Sequence, residues 1–81
     1  MTQEEIKRSK ADLLKELQKI YDSEINFSIE CFWDGGFIIR LGDELNGVVT
    51  EDTFYDLGEG VLWLIKQVVK YYPNSLYAKK R

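Results

Sequence analysis

The sequence predicts an α+β fold: a helix, a three-stranded antiparallel sheet and a second helix (α-β-β-β-α), with both helices on one sheet face. Three observations predict it. Residues 3–21 repeat apolar side chains at helical spacing, residues 25–31 alternate apolar and polar strictly, and helical spacing returns after residue 53 and stops before Pro73. A sheet with one apolar face needs a cover, and two amphipathic helices can supply it.

The elements follow in order. Thr2 and Glu5 have the S/T-x-x-E spacing of a capping box, so the first helix should start near Gln3 and run to about Tyr21. Its apolar stripe is Ile6, Leu13, Leu14, Leu17, Ile20 and Tyr21, while Lys7, Lys10, Lys15, Glu16 and Lys19 fall mostly off it. Residues 25–31 make the first strand, with Ile25, Phe27, Ile29 and Cys31 inward. Residues 37–41 make the second. Asp34-Gly35-Gly36 lies between them, and its glycines can take positive φ. A two-residue turn would set the inner face of one strand beside the outer face of the other. A three-residue turn keeps the faces matched. It pairs Trp33 with Phe37, Phe32 with Ile38, Cys31 with Ile39, Glu30 with Arg40 and Ile29 with Leu41.

A turn over residues 42–47 ends in Asn46-Gly47, and residues 48–50 form a short third strand. Thr53 is expected to cap the second helix, with Asp56 near its positive end. That helix runs to about Tyr72 with an inner stripe of Leu57, Val61, Leu64, Ile65, Val68 and Tyr72. Residues 1–73 are read as a single domain and residues 74–81 as a short basic tail.

Eighty-one residues make one small domain. A core of this size supplies only a few kcal/mol, so a homodimer interface would help. The composition, 44% hydrophobic and 14% aromatic, suits a packed globule. No apolar run is long enough to span a membrane, and the acidic start does not resemble a secretory signal. With one cysteine and no histidine, no intrachain disulfide, His-centred triad or zinc ligand set can form. These features predict a cytoplasmic, non-enzymatic protein without a cofactor.

Charge is unevenly spread. Residues 22–60 hold ten acids and one base, a net of −9, whereas residues 61–81 hold five bases and no acid. Such a dipole bears on partners more than on fold. Phe32 and Ile38, with Ser28, Glu30 and Arg40, are expected on the outer hairpin face as an exposed docking or dimer patch. Trp63 falls opposite the inner stripe among Glu59, Lys66, Gln67 and Lys70, where a tryptophan suits an interaction anchor. Asp43, Glu44, Glu51 and Asp52 are placed in the loops after the second and third strands. They lack calcium-loop spacing and read as solvated, with Glu51 and Asp52 the candidates for meeting a basic partner. Cys31 reads as a buried structural thiol.

The run Asp34-Gly35-Gly36-Phe37, then Ile39, Leu41, Asp43, Leu45, Gly47, Thr50, Asp52 and Thr53 leading into a helix, resembles the antitoxin domain of the HicB family. The likeness covers residues 27–69. The additional first helix and the lack of prolines around the second turn depart from that family. The resemblance implies a domain that binds and masks a protein partner and associates with itself, with no catalytic residues.

The first expectation is therefore a small protein-binding or inhibitory module, antitoxin-like or accessory. An alternative is an acidic phage or mobile-element inhibitor that mimics nucleic acid or covers a basic site on a host enzyme. A further alternative is a nucleic-acid-associated protein, because double-stranded-RNA-binding domains share the element order. Those domains need basic loops, and the acids at 43, 44, 51, 52 and 56 oppose contact with phosphate.

Overall fold

Ile39 and Leu41, alternate residues of one strand, are completely withdrawn from solvent, and the other elements are arranged to cover them. The computed structural model describes the backbone of residues 3–80 and the side chains of residues 12–80. The elements are α1 (Gln3–Asp22), β1 (Phe27–Phe32), β2 (Gly36–Asp43), β3 (Gly47–Phe54), α2 (Leu57–Tyr71) and a single turn, α3 (Leu76–Lys79). The strands form one antiparallel sheet in the order β1-β2-β3. The α-β-β-β-α arrangement predicted from the sequence is what the chain adopts.

The cover comes chiefly from α2. Gly60, Val61, Leu64, Ile65 and Val68 form its buried stripe, and it crosses β2 and β3. Gly60 lets the helix approach closely, since a Cβ there would come within 2.5 Å of Ile39 Cδ1. Asp56 caps α2, its carboxylate accepting from Glu59 N at 2.9 Å. Thr53, expected to be the cap, is instead a strand residue opposite Ile38. β3 therefore has eight residues where three were expected. Exposed Leu57, the first helical residue, lies off the stripe assigned to it.

α1 packs alongside α2 and contributes Ile20, Leu13 and Leu17 to the core, but Leu14 and Tyr21 of its expected stripe are exposed. The Thr2–Glu5 capping contact and the Ile6 side chain lie outside the described residues. Glu24, at φ 62°, ends the helix in the left-handed region and turns Ile25 into the core.

The expected tail contains α3. Ser75 caps it by accepting from Ala78 N at 3.1 Å, and Tyr77 is buried. The Tyr77 hydroxyl donates to the Glu16 carboxylate, clasping α3 to α1. Lys79 and Lys80 are exposed; Arg81 lies outside the described residues.

The hairpin register differs from the expected one by two residues. Phe32 pairs with Gly36, Glu30 with Ile38 and Phe27 with Leu41. The turn uses Trp33, Asp34 and Gly35, closed by Gly35 N donating to Phe32 O at 3.0 Å, and Gly36 opens β2 at φ 86°. A shift of two preserves the face of every side chain, so the inward and outward sets survive. Packed layers lie about 10 Å apart. The smallest Cα extent of 17 Å thus holds one sheet and one helix layer. Among the described residues, no element covers the far face of the sheet.

A bulge between Leu41 and Gly42 ends the regular β2–β3 ladder. Gly42 has φ 98°, and a Cβ there would meet Gly47 O at 2.5 Å. Gly47 has φ 104° with nothing near it. Gly42→Ala should therefore cost about 2–4 kcal/mol from strain and crowding together, and Gly47→Ala about 1–2 kcal/mol from strain alone. Urea unfolding of both variants checks the order, and equal losses would show that crowding at Gly42 is relieved.

Candidate functional site

Strand alternation builds the uncovered face. With Ile39 and Leu41 inward, Ser28, Glu30 and Phe32 of β1, Ile38 and Arg40 of β2, and Glu51 and Thr53 of β3 line the outside. Arg40 occupies the centre. Its Nε donates to Glu51 Oε2 at 2.7 Å, and its Nη1 donates to Glu30 Oε1. One guanidinium thus joins three strands. Glu30 is reached diagonally, because Ser28 is the residue directly opposite Arg40. The Glu51 hydrogen bond first, and then the Glu30 bond, raise the Arg40 pKa above its ordinary value. Two carboxylates around one guanidinium leave the centre with a net charge of −1.

One end of this face is aromatic. Phe32 is 45% exposed, because Gly36 opposite it offers no side chain. Trp33 in the turn is 96% exposed and Tyr55, just after β3, is 84% exposed. The Tyr55 ring lies against Gly36, where a Cβ would approach it to 3.2 Å. In the sequence pattern Trp33 serves only to set the register, and Tyr55 falls inside the expected second helix. The missed signal is an aromatic residue within a Trp-Asp-Gly-Gly turn, where no core position exists to receive it.

The other end is held by Asp43. Its carboxylate accepts from Asn46 N at 2.6 Å, Asn46 Nδ2 at 3.2 Å and Asn26 Nδ2 at 2.7 Å. The Asn46 backbone bond, with the Asn46 side chain next, lowers the Asp43 pKa from its ordinary 3.8. Between this turn and Arg40 lies an open depression of about 640 Å3 lined by Ser28, Glu30, Arg40, Leu45 and Val48.

Other candidate residues are redistributed. Glu51 and Asp52 lie within β3, not in a loop, and point to opposite faces. Glu51 is committed to Arg40, and Asp52 accepts from Thr53 N at 2.8 Å. Ile38 is half-buried between Glu30 and Thr53, away from the Phe32 partner expected for it. Trp63 is half-buried against the core, its ring centroid 5.3 Å from Phe54. It reaches Phe54 because β3 extends four residues past the expected end and places an aromatic beside α2. Cys31 is exposed, because α2 covers β2 and β3 but leaves the end of β1 open. Among the described residues, no three His, Cys, Asp or Glu side chains are grouped to hold a metal, and no helix is long and apolar enough to cross a membrane.

Comparison with protein-family models, curated proteins and solved structures returns no match.

Two outcomes follow from these placements. Because its folded pKa is lowered, Asp43 contributes stability that is present above 3.8 and lost as pH falls through its folded value. The stability gap between the native chain and Asp43→Ala should stay level near neutrality and narrow in acid; denaturant melts across pH measure it, and a gap widening in acid would refute the assignment. Trp63→Ala should cost about 2–4 kcal/mol, as for an aromatic removed from a packed site, and a thermal melt unchanged from the native chain would return Trp63 to the surface.

Proposed function

We propose that this chain is a small non-enzymatic binding module that docks a protein partner on its uncovered sheet face, with Phe32, Trp33 and Tyr55 as the apolar anchor. The near-complete exposure of Trp33 in the hairpin turn and of Tyr55 just past β3, both at one end of the sheet, carries the reading. Tryptophan and tyrosine dominate binding energy at interfaces, since they bring large apolar area with few rotatable bonds. Tyr55 is anchored just past β3, its ring against Gly36, so little further ordering of that side chain is needed on docking.

The rest of the face suits an interface rim. Arg40, Glu30 and Glu51 are already hydrogen-bonded to one another, and at the edge of an interface their remaining N–H groups and carboxylate oxygens stay in contact with water. The HicB-like order of hairpin, third strand and helix points the same way, toward a domain that masks a protein partner. The exposed unpaired thiol of Cys31 suits a reducing compartment such as the cytoplasm.

The test compares the native chain with Trp33→Ser/Tyr55→Ser as bait in a lysate of the source organism, after circular dichroism shows both folded. A stoichiometric protein retained by the native chain and bound about tenfold or more weakly by the double variant is the expected result. Retention unchanged by the double variant but lost with Leu14→Ser on α1 would move the interface to the helix layer.

A further inference from the structure

Charge in this molecule is sorted by layer. The sheet layer, residues 24–56, holds eight acids and one base, a net of −7, whereas residues 57–81 hold five bases and one acid. The one base of the sheet layer is Arg40, and it is consumed by Glu30 and Glu51. Asp34 sits in the turn beside Trp33, and Asp43 and Glu44 border the opposite end. The uncovered face is therefore acidic at its centre and at both ends.

We infer that the partner segment seated on this face is cationic, a polypeptide surface in which arginine or lysine side chains accompany apolar ones. The inference rests on the docking face proposed above and specifies the chemistry of its occupant. Three observations select that occupant. First, an acidic partner would find no unpaired base among the described residues of the sheet layer. Nucleic acid is disfavoured for the same reason. Second, a second copy stacked face to face would set the net negative centre of one sheet against that of the other. Like charges so juxtaposed disfavour that stack. Third, the exposed ring of Trp33 and the carboxylate of Asp34, neighbours in the hairpin turn, offer a cation both a π face and a negative charge. An arginine suits this end best, because its planar guanidinium stacks on an aromatic while bonding an acid. The basic helix layer on the far side would orient an approaching cationic surface toward the sheet.

The test is selection of a random 16-residue displayed peptide library on the intact folded chain. The expected outcome is enrichment of arginine or lysine together with apolar residues. Synthetic copies of the selected peptides should bind Asp34→Lys and Glu51→Lys about tenfold more weakly each, and should lose affinity with added salt. Asp34→Lys guards against misfolding, since the Asp34 side chain lies in an exposed turn outside the Arg40 network. Neutral or acidic peptides that nonetheless lose binding to Trp33→Ser would overturn the cationic inference and leave the docking face standing. Basic peptides indifferent to Trp33→Ser, Asp34→Lys and Glu51→Lys would show diffuse attraction and overturn it as well. Failure to enrich any peptide would count against both the face and its occupant.

Discussion

Burial of Ile39 and Leu41 beneath the Gly60-to-Val68 stripe of α2 is the constraint on which the remaining geometry depends. Both side chains lie on the central strand, and neither retains exposure to solvent. Burying a large aliphatic side chain is worth about 1.5–3 kcal/mol, and slipping β2 by one residue would forfeit both contributions at once. The same choice sends Ile38 and Arg40 outward. The uncovered surface is thus the complement of the surface that holds the domain together.

The close approach of α2 has further consequences. The helix begins only where the chain has cleared the end of β3, so Asp56 becomes its cap and Phe54 remains in the sheet. Phe54 then meets Trp63, and an apparently polar helix face acquires an aromatic contact. The helix layer is completed from both chain ends. Ile20 and Ile25 enter the core as α1 finishes, and Tyr77 enters from α3 while its hydroxyl bonds Glu16. A hydrogen bond across 61 residues of sequence thus ties together segments that local propensity alone would leave apart.

Much of this order is legible in the residues. The period change after Tyr21, the glycine turn and Pro73 mark the helix-sheet-helix sequence and the two strand faces. The hairpin faces survive a wrong register because the shift is two and the side-chain period is also two. Other features escape local patterns. Thr53 is as good a strand residue as a helix cap, and only the β2 ladder decides between them. Cys31 alternates correctly yet is exposed, because alternation says which way a side chain points and not whether a helix lies there. Tyr77 follows a proline and precedes a lysine pair, and nothing local shows that it folds back onto α1. The aromatic end escapes for a related reason: Trp33 and Tyr55 are far apart in sequence and fall at the same sheet end only once the register is known.

Arg40 shows how stability and recognition are balanced on the open face. An apolar residue there would place a second apolar side chain beside the half-buried Ile38 in the middle of the sheet. Such a patch favours stacking on another copy or pairing with any exposed sheet. The guanidinium instead holds two glutamates upright on the flanking strands, so the centre stays charged and polar while the three strands remain linked. Its pairing leaves the face net negative, which disfavours self-stacking. Exposed apolar area is thereby concentrated in Phe32, Trp33 and Tyr55 at the sheet end, where the proposed docking would cover it without dehydrating the whole triad. For the docking proposed on this face, specificity would arise as much from what the triad repels as from what the aromatic end attracts.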